Sequence, residues 1–302
     1  MDIEQFNINH GKGGQLKCFK GKGGFPFIQV NNRSASALIS VYAAQVLSFK
    51  PTSESEDLLF VSKKSHFRRG KAIRGGIPVC WPWFGSDPSS LNRPNHGFAR
   101  QGLWSVVGTN AQNADETQVR LRFTETLTET IGWQQGFVLE LAISISNTLT
   151  LELVTRNTGT QQFSITQAFH SYFHIGHIRQ VQVYGLENTV YVDKLADGKH
   201  QRQQGNVTVS AAIDRIYTNV HNELVIDDLA FKRKIQITST NSKTAVVWNP
   251  WATHSANIAD LDADDYQRFI CVEAGNVDQD VIHIEPDSEY RLRTQFKITR
   301  SE

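Results

Sequence analysis

The 302-residue sequence predicts an all-β protein, a large antiparallel β-sandwich. Three observations carry that expectation. Apolar and polar residues alternate with period two from one end of the chain to the other. No long stretch carries the apolar stripe of a helix. Asn, Gly, Asp and Ser separate the alternating runs, as turn residues do.

Near the N-terminus, Gly11-Lys-Gly-Gly14 is echoed by Gly21-Lys-Gly-Gly24. A phosphate-cradling loop needs Ser or Thr after its Lys, and Gly stands there both times, so the pair reads as two turns flanking a short strand. Ala37–Phe49 has the Ala and Leu content of a helix, but Val41, Tyr42 and the serines suit a strand, which is the reading adopted. Val119-Arg-Leu-Arg-Phe123 puts its apolar side chains on one face and its arginines on the other. Leu139–Ile145 and Leu149–Leu153, joined through Ser146-Asn-Thr148, read as a hairpin. Val181–Val183, Val207–Val209, Lys234–Ile237, Ala245–Trp248, Phe269–Glu273 and Tyr290–Ile298 complete the set. Neither a Pro/Ser linker nor a charge-block boundary divides them, so residues 1–302 are expected to form one domain.

Composition excludes several classes. Hydrophobic residues at 39% and charged residues at 20% suit a globular protein. A net charge of +1 offers no general attraction to nucleic acid or to acidic membranes, so any anion site is local. No apolar run approaches the length that spans a bilayer, and Met1-Asp-Ile-Glu-Gln-Phe lacks the basic, apolar start of a signal peptide. Cys18, Cys80 and Cys271 are odd in number and widely spaced, which suits a reducing compartment. The expected address is therefore cytoplasmic, and the expected assembly a monomer.

Chemistry concentrates in four strings: Arg74-Gly-Gly-Ile-Pro-Val-Cys-Trp-Pro-Trp-Phe-Gly85, His96-Gly-Phe-Ala-Arg100, Phe169-His-Ser-Tyr-Phe173 and Cys271-Val-Glu-Ala-Gly-Asn276. The basic run Lys63–Lys71 reads as solvated surface. Arg74 differs, because Gly75-Gly76 would let the backbone approach a ligand. With Arg100 it could grip one phosphate through charge-assisted bonds. Trp81, Trp83 and Phe84 around Pro82, and Trp248-Asn-Pro-Trp251, form two stiff aromatic loops. Each tryptophan is either core or a stacking surface for a sugar ring. His170, His174 and His177 could in principle bind a metal, but no third ligand has diagnostic spacing, and one catalytic histidine is the preferred reading. Strand alternation puts Glu273 on the face of Phe269 and Cys271, opposite Ile270 and Val272. A carboxylate there would be buried and raised toward a usable general base, with Ala274-Gly275 opening room for a ligand. There is no Gly-x-Ser-x-Gly elbow and no nucleotide-binding glycine fingerprint.

These strings, in this order, make the chain resemble the aldose 1-epimerase (galactose mutarotase-like) superfamily, and its hexose-6-phosphate branch in particular. The resemblance runs from Ala44-Gln-Val-Leu-Ser-Phe49 to the last strand. It implies a β-sandwich of the galactose mutarotase-like type with a shallow sugar cleft, no cofactor and no metal. His170 falls on the family's catalytic acid and Glu273 on its catalytic base. His96 and Asp214, within Ile213-Asp-Arg-Ile-Tyr217, fall on positions that bind sugar hydroxyls. Arg74 and Arg100 match the branch's anion-binding arginines.

The implied function is interconversion of the α and β anomers of an aldohexose 6-phosphate by ring opening and closure. The partner is a small-molecule sugar phosphate, with no nucleic acid and no membrane. A non-catalytic sugar-phosphate binding protein on the same fold is the alternative, although binding alone does not require both His170 and Glu273. A metal-dependent enzyme built on His170, His174 and His177 is a third reading.

Overall fold

The strand Thr148–Asn157 shows how alternation becomes architecture. Leu149, Leu151 and Leu153 are buried on one face, while Glu152, Val154 and Arg156 point outward. The computed structural model describes residues 2–11, 13–89, 91–123 and 132–300. Among these, two large sheets are packed face to face. The nine-stranded sheet runs Val207–Thr208, Val181–Tyr184, Glu223–Asp228, Arg233–Thr240, Glu289–Arg300, Thr148–Asn157, Phe137–Ile145, Glu116–Phe123 and Trp104–Asn113. The eight-stranded sheet runs Lys199–Arg202, Val190–Asp193, Ile213–Thr218, Thr244–Asn249, Phe269–Asn276, Gln167–Phe169 and Val79–Cys80, with Tyr172–His174 also pairing to Phe269–Asn276. Every ladder between these strands is antiparallel.

The inner faces meet in one apolar core. Leu121, Leu141, Ile143, Leu151, Ile235 and Phe296 from the larger sheet pack with Tyr217, Val247, Ile270 and Val272 from the smaller one. Outer-face arginines pair across strands instead, as Arg122 does with Glu140 at 2.6 Å. Ile28, Val30, Ile39 and Phe49 of a four-stranded sheet extend the same core. The architecture is the expected antiparallel sandwich, and each alternating run named above lies in a strand or at its end.

One segment differs. Ala37–Phe49, expected as a single strand, is a hairpin: Ala35–Ser40 and Gln45–Pro51 pair around a turn at Val41–Ala44. Ala43 and Ala44 take left-handed backbone there, with φ of 66° and 47°, so no Gly or Asn marks the turn in the sequence. The glycine motifs do flank a short strand, Leu16–Lys20. Among the described residues, the short helices Ile3–His10 and Trp251–Ser255 are additions that the alternation did not announce. Among the described residues no helix is long and apolar enough to cross a membrane. All three cysteines are buried free thiols.

Candidate active site

The smaller sheet turns its second face to a cavity of about 400 Å³, within the usual range for a small-molecule site. Glu273 lies on the central strand Phe269–Asn276, in register with Val246 of the neighbouring strand. Ile270 and Val272 point into the inter-sheet core, whereas Phe269 and Cys271 join a separate cluster with Tyr172 and partly buried Trp248. Glu273 therefore sits on the cavity face, as alternation predicts.

His170 occupies a break in pairing. Gln167–Phe169 and Tyr172–His174 both pair to the Glu273 strand, with Phe169 opposite Ala274 and Tyr172 opposite Cys271. His170 and Ser171 span the gap. The His170 N–H donates to the Pro78 carbonyl (3.0 Å) and the Ser171 N–H folds back onto Phe169 (2.8 Å), which faces the imidazole toward Glu273. His170 Nδ1 and Glu273 Oε1 are 3.2 Å apart, but their geometry is not that of a hydrogen bond. Glu273 Oε2 is likewise buried without a partner. Buried polar atoms left open in this way are what a substrate would satisfy.

The electrostatics follow from burial. Desolvation pushes the Glu273 carboxyl well above the usual carboxylate range, helped by nearby Asp214 and opposed by Arg100. Desolvation pushes the His170 imidazole well below its ordinary value, and His96, Arg100 and Arg74 add to the effect. His96 is pushed down to about 3, first by burial and then by Arg100 and Arg74. The Gly85 N–H donates to His96 Nδ1 (3.3 Å), which leaves the neutral ring with Nε2–H as a donor. Asp214, in register with Trp248, is raised by burial while Lys194 opposes.

Arg74, His96, His170, Asp214 and Glu273 all line this one cavity. Arg74 is held in place, its Nε donating to Asp260 (3.1 Å) and its Nη1 to the Tyr172 hydroxyl (3.0 Å). Arg100 is not among the lining residues. Its Nη2 donates to the Asn95 carbonyl (2.9 Å), and its charge reaches the site through His96 and His170. The glycines near Arg74 act differently from expectation. A Cβ on Gly75 would stand 2.3 Å from the Phe60 carbonyl, and one on Gly76 2.2 Å from that of Val46. They let backbone segments approach one another rather than a ligand. Gly275 does the same against Gln167.

The tryptophans divide. Trp81 and Trp83 belong to the core, whereas Phe84 and Trp248 line the cavity. His174 packs against Phe231, and His177 caps a turn by accepting the Arg179 N–H, so neither joins His170 in a ligand set. Among the described residues, the group whose atoms could converge on a metal is instead His170, Cys271 and Glu273, within 4.8 Å of one another. Sequence reasoning missed Lys194, Ile216, Val246 and Asp278 in the lining. For Lys194 the available signal was the alternation of Val190-Tyr-Val-Asp193 before the Asp197-Gly198 turn, a hairpin able to reach the cleft.

Comparison with known proteins matches residues 26–297 to the aldose 1-epimerase family profile. A protein of Salmonella typhimurium bearing the provisional name glucose-6-phosphate 1-epimerase is 34% identical over 249 residues, covering 82% of this chain and 81% of that protein. One of the same provisional name from Cenchrus ciliaris is 34% identical over 270 residues, covering 86% and 80%. Among solved structures, a provisionally named mutarotase from Salmonella typhimurium superimposes with a TM-score of 0.88 at 28% identity, covering 95% of this chain and 94% of that one. A galactose mutarotase-like protein from Clostridium acetobutylicum shares the fold at 16% identity, with a TM-score of 0.73 over 94% and 98% of the two chains.

Proposed function

This chain belongs to the aldose 1-epimerase family, and from that premise we propose that it interconverts the α and β anomers of an aldohexose 6-phosphate, glucose 6-phosphate first. The observation that carries the proposal is the convergence of His170 and Glu273, with His96, Asp214 and Arg74, on a single cavity. In this reading Glu273 takes the proton from the C1 hydroxyl while His170, as imidazolium, gives one to the ring oxygen. The C1–O5 bond breaks, the C1–C2 bond rotates, and closure on the other carbonyl face returns both protons. His96 Nε2–H and the Asp214 carboxylate hold ring hydroxyls. Arg74 meets the phosphate directly, and Arg100 contributes charge from outside the lining. Phe84 and Trp248 give the sugar its apolar contact.

The resting site need not hold the ion pair that ring opening uses. Glu273-H with neutral His170 carries the same single proton as ionised Glu273 with imidazolium. Burial favours the neutral form. That form is also the one left after ring opening, so it stands ready for the open-chain aldehyde. Residues 1–302 are read as one domain because a single core cluster runs from Phe6 to Phe296. A small-molecule partner and a monomer complete the proposal.

NMR saturation transfer between the α and β anomeric protons tests it. Faster exchange for glucose 6-phosphate than for glucose or galactose is expected. Folded protein that accelerates none of them would sink the proposal and leave sugar-phosphate binding alone.

A further inference from the structure

We infer that Tyr172, to which the reading above gives no role, is a positioning residue joining the phosphate end of the cleft to the proton-transfer pair. The inference rests on that reading and deepens it. Three contacts carry it. The Tyr172 ring lies parallel to the His170 imidazole, with centroids 4.9 Å apart and planes at 9°. Its hydroxyl accepts from Arg74 Nη1 at 3.0 Å. Its backbone pairs with Cys271, two residues before Glu273 on the same strand. Trp248 stands edge-on to both stacked rings, 6.0 Å from each, and so closes the stack on its side.

The hydroxyl and the ring face have separate physical consequences. The hydroxyl fixes the guanidinium fork, which Asp260 holds from the Nε side, so Arg74 reaches an anion without reordering. The ring face offers its quadrupole to His170 when the imidazole becomes a cation. That attraction opposes the desolvation that drives His170 toward neutrality. Burial raises the Tyr172 phenol well above its ordinary range, so it stays an uncharged partner to both neighbours. One side chain therefore holds the substrate's anion ligand and supports the acid that serves its ring oxygen.

Two substitutions separate the roles, with Arg74→Ala and thermal unfolding run alongside. Tyr172→Phe keeps the ring and removes the hydroxyl. It should raise KM for glucose 6-phosphate about five- to tenfold, the scale of one net hydrogen bond, and KM for glucose less than about twofold. Tyr172→Leu removes the ring. It should lower kcat for both sugars and, by disfavouring imidazolium, move the acid limb of the pH profile to lower pH by about one unit. A residue that only fills space would lower stability and both activities together, with no KM split and no limb movement. That outcome overturns the inference, as does a Tyr172→Phe protein whose KM rises equally for both sugars. If Arg74→Ala itself shows no preference for the phosphorylated sugar, the anion-site assignment fails instead, and the stacking role is judged on Tyr172→Leu alone.

Discussion

His170 Nδ1 lies 3.2 Å from Glu273 Oε1, and the two do not bond to each other. They are close enough to act on adjacent oxygens of one sugar, and both residues line the cavity. Because burial raises Glu273 and lowers His170, it favours the arrangement in which the pair's single proton sits on the carboxyl. The pair gains a second only below His170's ordinary 6.5, and loses its last only well above Glu273's ordinary 4.5. The kcat/KM profile with unphosphorylated glucose, which reports the free enzyme and avoids titration of the phosphate, should be a bell whose acid limb lies below pH 6.5. An acid limb above pH 6.5 would contradict these environments.

Asp214 raises Glu273 through like charge. Asp214→Asn removes that charge, so the Glu273 pKa falls and the alkaline limb moves to lower pH. KM should rise for phosphorylated and free sugar alike, since the lost contact is to a ring hydroxyl. Steady-state profiles of both substrates check the two effects separately.

Arg74 and Arg100 should behave differently. Arg74→Ala removes a lining guanidinium and should raise KM for glucose 6-phosphate by roughly ten- to a hundredfold, with a small effect on glucose. Arg100 lies outside the lining, so Arg100→Ala acts on the site through charge. Losing a positive neighbour raises the pKa of His170, so the acid limb should shift to higher pH, with a smaller KM change.

Trp81 and Trp248 are both large indoles, but only Trp248 lines the cavity. Trp81→Phe loses volume in a fully buried site and the N–H bond to Thr155 (3.0 Å). Thermal unfolding should show a loss of about 2–3 kcal/mol, with little change in KM. Trp248→Ala should reverse that pattern, raising KM for both sugars.

The site was partly legible in the sequence because strand alternation is a local rule. In Phe269–Glu273 it put Glu273 on the face of Phe269 and Cys271, opposite Ile270 and Val272, without any knowledge of the partner strands; which face meets the other sheet is settled by the packing of Ile270 and Val272. His170 was visible as a residue type, but the pairing gap that aims it depends on Pro78 and on the Glu273 strand, both remote in sequence. Gly75 and Gly76 were noticed and misassigned, because a close backbone neighbour and a close ligand demand the same missing Cβ. The hairpin within Ala37–Phe49 stayed hidden since two alanines carry its left-handed turn. Lys194 and Asp278 became part of the site only when non-adjacent strands were brought side by side.

The central claim is that Glu273 moves the anomeric proton of a sugar phosphate. Its most direct test is saturation transfer between the anomeric protons of glucose 6-phosphate with wild type, Glu273→Gln and no protein, with glucose 6-phosphate affinity measured on both proteins. The account predicts enzyme-dependent exchange for wild type, a drop of about 10²–10⁴-fold for Glu273→Gln, and similar affinity for the two. A Glu273→Gln protein that binds the sugar and exchanges its anomers as fast as wild type would contradict it.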